Sequence, residues 1–192
     1  MRVIAGTHRG RPLQAPPGRG TRPMLGRVRE AIFDRLAPWL APGEAPRVLD
    51  LFSGSGSLGI EALSRGASFA RFVERGREAR RVLRGNLDAL GLDETAEVCD
   101  GDALDPRLAE PGPWDLVFHD PPYPMLAAAD EREAVLRSVA GLVRGPLAPD
   151  GVLVLHVPAG ALAEPDLPSD LEAARSGYGT TDIWYVGREE PA

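Results

Sequence analysis

The chain has 192 residues, is 43% hydrophobic, contains one cysteine and carries a net charge of −6. That length suits one well-packed catalytic domain with a small appendage and is too short for two full domains. The lone Cys99 excludes an intramolecular disulfide and an all-cysteine metal site and reads as an inert core residue, while the want of any apolar run of ~18 residues excludes a helical membrane span.

All 22 basic residues are arginine. Eight of them (Arg2, Arg9, Arg11, Arg19, Arg22, Arg27, Arg29 and Arg35) fall in residues 1–35 against Glu30 and Asp34, so this segment carries +6 and the remainder −12. A basic arm on an acidic body predicts a polyanionic partner, the alternative being an arm that pairs its arginines with acids of the body. Met1-Arg2-Val3-Ile4 runs into strand-like sequence without a signal-peptide core, so a cytoplasmic protein is expected.

Arg2–Ile4 and Arg11–Gln14, separated by Gly6 and Gly10, predict a hairpin. Pro16-Pro17-Gly18 breaks regular structure, and from Gly26 the apolar residues Val28, Ile32, Phe33 and Leu36 recur at helical spacing. Residues 1–40 thus read as a basic extension, with Pro42–Pro46 as a linker and 41–192 as the main domain. Strands are expected at 47–52, 69–74, 95–99, 115–119 and 151–157. Helices are expected at 57–65, 77–91 and 130–144, with a short one at 103–109. Segments 171–175 and 182–186 flank Ser176–Thr180 as a closing hairpin. Such alternation predicts an α/β fold with a mainly parallel sheet.

The glycines of Asp50-Leu51-Phe52-Ser53-Gly54-Ser55-Gly56-Ser57-Leu58-Gly59 lie between the first buried strand and its helix in a G-x-G-x-x-G pattern, which alone suits a dinucleotide equally well. Asp50 ends the strand where a carboxylate can engage an ammonium-bearing ligand, directly or through water, and this draws the reading toward S-adenosylmethionine. Glu74 ends the second strand, where it can accept from both ribose hydroxyls, with Arg75 behind it. After the third strand, Gly101-Asp102-Ala103 places a carboxylate within reach of an adenine amino group. Asp50, Glu74, Asp102 and Asp120 all sit at carboxyl ends of strands, where ligands bind in open α/β sheets.

Asp120-Pro121-Pro122-Tyr123 closes the apolar run Leu116–His119 and carries the chemistry. An exocyclic base amine is a poor nucleophile because its lone pair is conjugated with the ring. Asp120 and the carbonyl of Pro121 supply two acceptors, and the prolines remove N–H groups that would compete for them. Two N–H···O bonds favour a pyramidal nitrogen, and the carboxylate stabilises the positive charge that develops there. Tyr123 is placed to stack on the base. His119 reads as a packing residue rather than a base, and the three histidines make no metal-ligand pattern, so no metal is expected.

Asp50–Gly59 and Asp120–Tyr123 resemble the cofactor and catalytic motifs of class I S-adenosylmethionine-dependent amino methyltransferases. Arg22-Pro23 and Arg27-Val28-Arg29-Glu30-Ala31-Ile32-Phe33, with Val3–Gly6, Arg9–Arg11 and Tyr178-Gly179, resemble the RsmD family over nearly the whole chain. The resemblance implies a Rossmann-like domain with a seven-stranded, mainly parallel sheet and an antiparallel C-terminal edge, extended by a small N-terminal hairpin and helix. It implies transfer of one methyl from S-adenosylmethionine to N2 of one guanine, position 966, of 16S rRNA in an assembled or assembling small subunit. A monomer is implied as well.

Between Gly59 and Asp120 there is room only for the core's own elements, so target choice falls to the arm, the rim loops and the shape of the substrate. Arg9, Arg11, Arg22, Arg27 and Arg29 are the candidates for binding phosphate. The competing readings are methylation of adenine or cytosine amino groups in DNA, protein glutamine methylation, a nicotinamide-dependent oxidoreductase and a non-catalytic RNA-binding module. The missing recognition domain counts against the first, Asp120 in place of Asn against the second, the unexplained tetrapeptide against the third and the intact acids against the fourth.

Overall fold

The computed structural model of the chain describes residues 1–16, 26–163 and 166–188. Arg22 and Pro23 lie outside them. Two compact units divide the chain, Met1–Ala103 and Leu104–Ala192. The predicted 1–40 extension falls inside the first.

The first unit alternates helix and strand: α1 (Gly26–Arg35), β1 (Arg47–Leu51), α2 (Ser57–Ser64), β2 (Phe69–Val73), α3 (Arg77–Leu90) and β3 (Ala96–Cys99). Its strands are parallel in the order β3-β2-β1, with Asp50 opposite Phe72 and Val73 opposite Cys99. Each strand is short, and in β1 every residue after Arg47 is buried. Helix α3 buries Val82, Leu83, Leu87 and Leu90 along one face, each worth roughly 1.5–3 kcal/mol on leaving water. It ends at Gly91, whose φ of 66° is the left-handed turn that stops a helix.

The N-terminal arm is fastened to α2 and α3. Val3 N donates to Arg11 O, Gly10 N donates to Val3 O, and Arg2 bridges Pro12, so the predicted hairpin forms with a single bridge rather than full strands. Gly6, with a φ of 79°, brings the arm against the end of α2: a Cβ there would lie 1.7 Å from Ser64 O, so no other residue fits. Glu61 of α2 accepts from Ile4 N at 2.7 Å and Ala5 N at 3.0 Å. Asn86 of α3 exchanges hydrogen bonds with the Gln14 backbone and also donates to Ser55 O, joining the arm to the turn after β1.

In the second unit the strand order is β4 (Trp114–His119), β5 (Leu147–Pro158), β7 (Thr181–Arg188) and β6 (Leu171–Tyr178), accompanied by α4 (Tyr123–Ala127) and α5 (Ala129–Arg144). β4 and β5 are parallel, while β7 runs antiparallel to both β5 and β6. The seven strands of the chain form a mixed sheet, parallel except at this C-terminal edge, as expected. Two details differ from the sequence reading. β5 begins at Leu147, four residues before the expected start at 151, with a register shift against Trp114 and Leu116. Tyr123 opens α4, for which no helix was expected; Pro124 falls in its first turn, where a missing N–H costs nothing. No helix among the described residues is long and apolar enough to cross a membrane.

Candidate active site

In the first unit the turn after β1 is shaped by backbone that side chains would obstruct. Gly56, with a φ of 79°, would put a Cβ 2.3 Å from Leu83 Cδ1, and Gly59 would put one 2.3 Å from Phe72 Cε1. The start of α2 is therefore pressed directly onto β2 and α3. Phe52 takes a φ of 57°, a left-handed conformation that costs a non-glycine residue ~1–2 kcal/mol, and such strain gathers at ligand-binding turns. Ser53 N donates to Val73 O, Gly56 N to Ser53 O, and Ser53 and Ser55 are both buried.

Two carboxylates brace this turn. Asp50 is 1% exposed, and its Oδ2 accepts from Gly59 N at 2.9 Å, in the first turn of α2. That carboxylate oxygen satisfies a helix-start N–H that has no partner within the helix, so Asp50 braces the turn on which the expected ligand contact, direct or through water, depends. Glu74 accepts from Gly54 N at 3.0 Å through Oε2 and from Gly76 N at 2.7 Å through Oε1. A carboxylate offers about four lone-pair sites, so each oxygen keeps one for a further donor. Arg75 and Asp102, both more than half exposed, face each other at 3.9 Å, so the residue behind Glu74 and the carboxylate expected near the adenine amino group form one surface pair. Ala103 is buried. Cys99, expected in the core, is half-buried at the end of β3, and burial is the main cause that pushes its thiol pKa up, with the Glu97 charge second.

In the second unit a polar cluster forms around the tetrapeptide. Asp120 follows β4 with its side chain 33% exposed, and its Oδ1 lies 2.7 Å from His156 Nδ1. His156 Nε2 is 2.8 Å from Thr181 Oγ1, and Tyr123 Oη is 2.8 Å from the same oxygen and 3.3 Å from Nε2. Tyr123 is 37% exposed although its hydroxyl is held, which leaves ring surface available for stacking. Asp120 Oδ2 and the Pro121 carbonyl accept no hydrogen bond among the described residues, and Pro122 is exposed. His119 is wholly buried beside Ser138 at 3.2 Å, and burial lowers its pKa to about 3, so it stays neutral and packs as expected.

Sequence reasoning missed His156 and Thr181. They stand 36 residues from Asp120 and 58 from Tyr123, on β5 and β7. The available signal was a histidine within the apolar run Val152–Val157, a polar residue that a buried strand tolerates only with partners.

A model of the family described as conserved hypothetical protein 95 matches residues 1–187. The chain belongs to this RsmD family. Ribosomal RNA small subunit methyltransferase D of Escherichia coli K12 is 42% identical over 124 residues, covering 64% of this chain and 60% of that protein. YlbH of Bacillus subtilis 168 is 43% identical over 126 residues, 64% of this chain and 67% of its own length. The matched segments therefore span about two thirds or less of these relatives. The solved structure of Escherichia coli yhhF superimposes with a TM-score of 0.81 at 32% identity, covering 100% of this chain and 99% of that one. The fold of this RsmD-family chain is that of the class I methyltransferases.

The arginines of the RsmD-family arm separate into two kinds. Arg29 is 2% exposed, its NH1 group lies against Met1 Sδ, and its NH2 group donates to Arg2 O. It holds the arm to α1 and has no surface for a phosphate. Arg11 is exposed but donates to Ala89 O at 2.7 Å, whereas Arg9 and Arg27 are exposed on the surface of the first unit.

Proposed function

We propose that this protein transfers a methyl group from S-adenosylmethionine to the exocyclic N2 of guanine 966 in 16S rRNA. The observation that carries the reading is the half-buried Asp120 carboxylate, with one oxygen held by His156, the other accepting no hydrogen bond among the described residues, and two prolines without N–H groups next in the chain. A site made of acceptors alone suits an amine whose two N–H bonds must be held while its lone pair is freed. Relatives named for small-subunit rRNA methylation support the nucleic acid and the subunit.

The cradle in the first unit fits the proposed donor. Its close-packed glycines leave bare backbone at the turn, and Glu74 keeps acceptor sites for two hydroxyls. Residues 52–56, Glu74, Arg75 and Asp102–Ala103 would hold the cofactor, with Asp50 acting through the turn that it braces. When bound, S-adenosylmethionine supplies a methyl activated by its sulfonium. The chain's own residues do the rest: Asp120 Oδ2 and the Pro121 carbonyl hold the two amine hydrogens, Tyr123 stacks on the base, and Oδ2 takes the proton that the methylated nitrogen sheds before passing it to water. The reading entails a cytoplasmic protein that works on the small subunit or its assembly intermediate, as a monomer and without a metal.

The deciding experiment is transfer of labelled methyl to small subunits and to naked rRNA from a strain lacking this gene, with nucleoside analysis. Label in N2-methylguanosine is expected; no label in either RNA, with label in N6-methyldeoxyadenosine or N4-methyldeoxycytidine when DNA is offered in parallel, would overturn the substrate. Glu74→Ala should weaken S-adenosylmethionine binding about 10- to 100-fold, the worth of hydrogen bonds from hydroxyls to a charged group, and titration calorimetry reads it. An unchanged affinity would place the ribose elsewhere. Replacing Arg9 and Arg27 with alanine should reduce the log–log salt dependence of RNA binding by ~0.7–0.9 for each phosphate that is no longer neutralised, whereas the slope would stay the same if they face only protein.

A further inference from the structure

His156 is the one polar interruption of the apolar run Val152–Val157 in β5, and it is 6% exposed. A side chain needed only for packing would be aliphatic like its neighbours, because burying an imidazole costs free energy unless both nitrogens are bonded. Here both are. Nδ1 meets Asp120 Oδ1 at 2.7 Å, and Nε2 meets Thr181 Oγ1 at 2.8 Å. A carboxylate oxygen only accepts, so Nδ1 carries the proton of that bond. The ring also stands edge-on to Tyr123, with centroids 5.7 Å apart and planes at 66°, and Thr181 joins the Tyr123 hydroxyl to the same cluster. Asp182, next along β7, is engaged elsewhere, by Gly160 N and Arg175.

We propose that His156 is a positioning residue for amino methylation: its Nδ1–H pins Oδ1 of Asp120, so that Oδ2 alone is presented to the substrate amine. The proposal rests on the reading of Asp120 as the amine-binding carboxylate. A carboxylate free to turn about its terminal torsion offers either oxygen in a broad range of directions, and near-attack geometry needs one acceptor in one place. The hydrogen bond removes that freedom. In the transfer step the amine lone pair forms the N–C bond as the C–S bond breaks and leaves its pair on sulfur. The proton then moves from nitrogen to Oδ2 and on to water, and His156 keeps its own throughout. Through Thr181 the same ring fixes the Tyr123 hydroxyl, so the stacking surface and the acceptor are aligned by one residue.

Two substitutions separate positioning from packing. Asparagine carries its amide nitrogen near the Nδ1 position, and glutamine carries its own near Nε2. With small subunits as acceptor, His156→Asn should keep kcat within about 10-fold of wild type. His156→Gln should lose about 100-fold or more, the scale expected when a reacting group is misplaced by an ångström, with KM for S-adenosylmethionine unchanged in both. Equal losses in the two variants, or near wild-type turnover in His156→Gln, would overturn the proposal and leave the amino-methylation reading intact. Failure of the wild-type protein to methylate any acceptor in the same assay would instead remove that reading. Should the variants not fold, long-range proton–nitrogen correlation on the wild-type protein decides: His156 Nδ1 should carry a proton, and an unprotonated Nδ1 rules the proposed bond out.

Discussion

Asp120→Ala is expected to lower the rate of methyl transfer by about 10³-fold while cofactor affinity stays within a few-fold of wild type. The magnitude combines the loss of a preorganised acceptor, about 10²–10³, with the loss of the proton acceptor, which overlaps with it because both are the same oxygen. Asp120→Asn should be as damaging, and for a geometric reason. His156 donates to the atom at Oδ1, so an asparagine there sets its carbonyl toward His156 and its NH2 group toward the substrate, donor against donor. Single-turnover kinetics with saturating cofactor, beside calorimetric cofactor binding, measures both halves. An asparagine variant that turns over near the wild-type rate would show that neither the negative charge nor the acceptor at Oδ2 is required, and the mechanism would be lost.

The largest effect on stability is expected at Glu61. This carboxylate is 1% exposed on α2 and accepts from Ile4 N, Ala5 N and, at 2.8 Å, Arg65 Nε. Arg29 is buried as well, and burial pulls its pKa down while the Glu61 charge opposes that shift, so the carboxylate helps to keep the guanidinium ionised inside the protein. Glu61→Ala strands two backbone donors and removes a counter-charge. A loss of about 3–5 kcal/mol is expected, as for other buried pairs broken on one side, and that is a large share of the 5–15 kcal/mol that typically holds a domain folded. Urea denaturation reads the loss, and amide exchange at Ile4 and Ala5 shows whether the arm comes away first. A cost under about 1 kcal/mol would mean that the arm is held by its hairpin and by Asn86 instead. Glu61 and Ser64 set the path of residues 4–8, so, on the proposal that Arg9 meets RNA, the same variant should also blunt RNA binding.

Most elements were legible because their patterns are local. The glycines at 54, 56 and 59 announced a turn pressed against its neighbours, and the structure gives the reason for two of them, Leu83 behind Gly56 and Phe72 behind Gly59. Alternating apolar runs placed β1 to β4 and α2, α3 and α5 to within a few residues. α4 escaped notice since Pro-Pro-Tyr-Pro reads as a turn, although proline in a first helical turn is no obstacle. Charge was the weaker guide. Arg27 and Arg29 look alike in the sequence, yet one is exposed and the other is sealed under the hairpin near Glu61, because helix α1 turns residue 29 to the inner face and 27 to the outer.

By itself the sequence determined the order and kind of the elements, the glycine turn, and an acidic residue with two prolines at the end of β4, all of which follow from neighbours within a few positions. Only the tertiary structure decided that Asp50 faces inward to Gly59, that Arg29 serves the arm, and that His156 and Thr181 complete the Asp120 cluster. Those facts depend on which strands lie side by side and in what register. β7 pairs with β5 so that Thr181 stands opposite Pro158 and Ile183 opposite His156, a long-range alignment set by the burial of both strands together rather than by any local pattern.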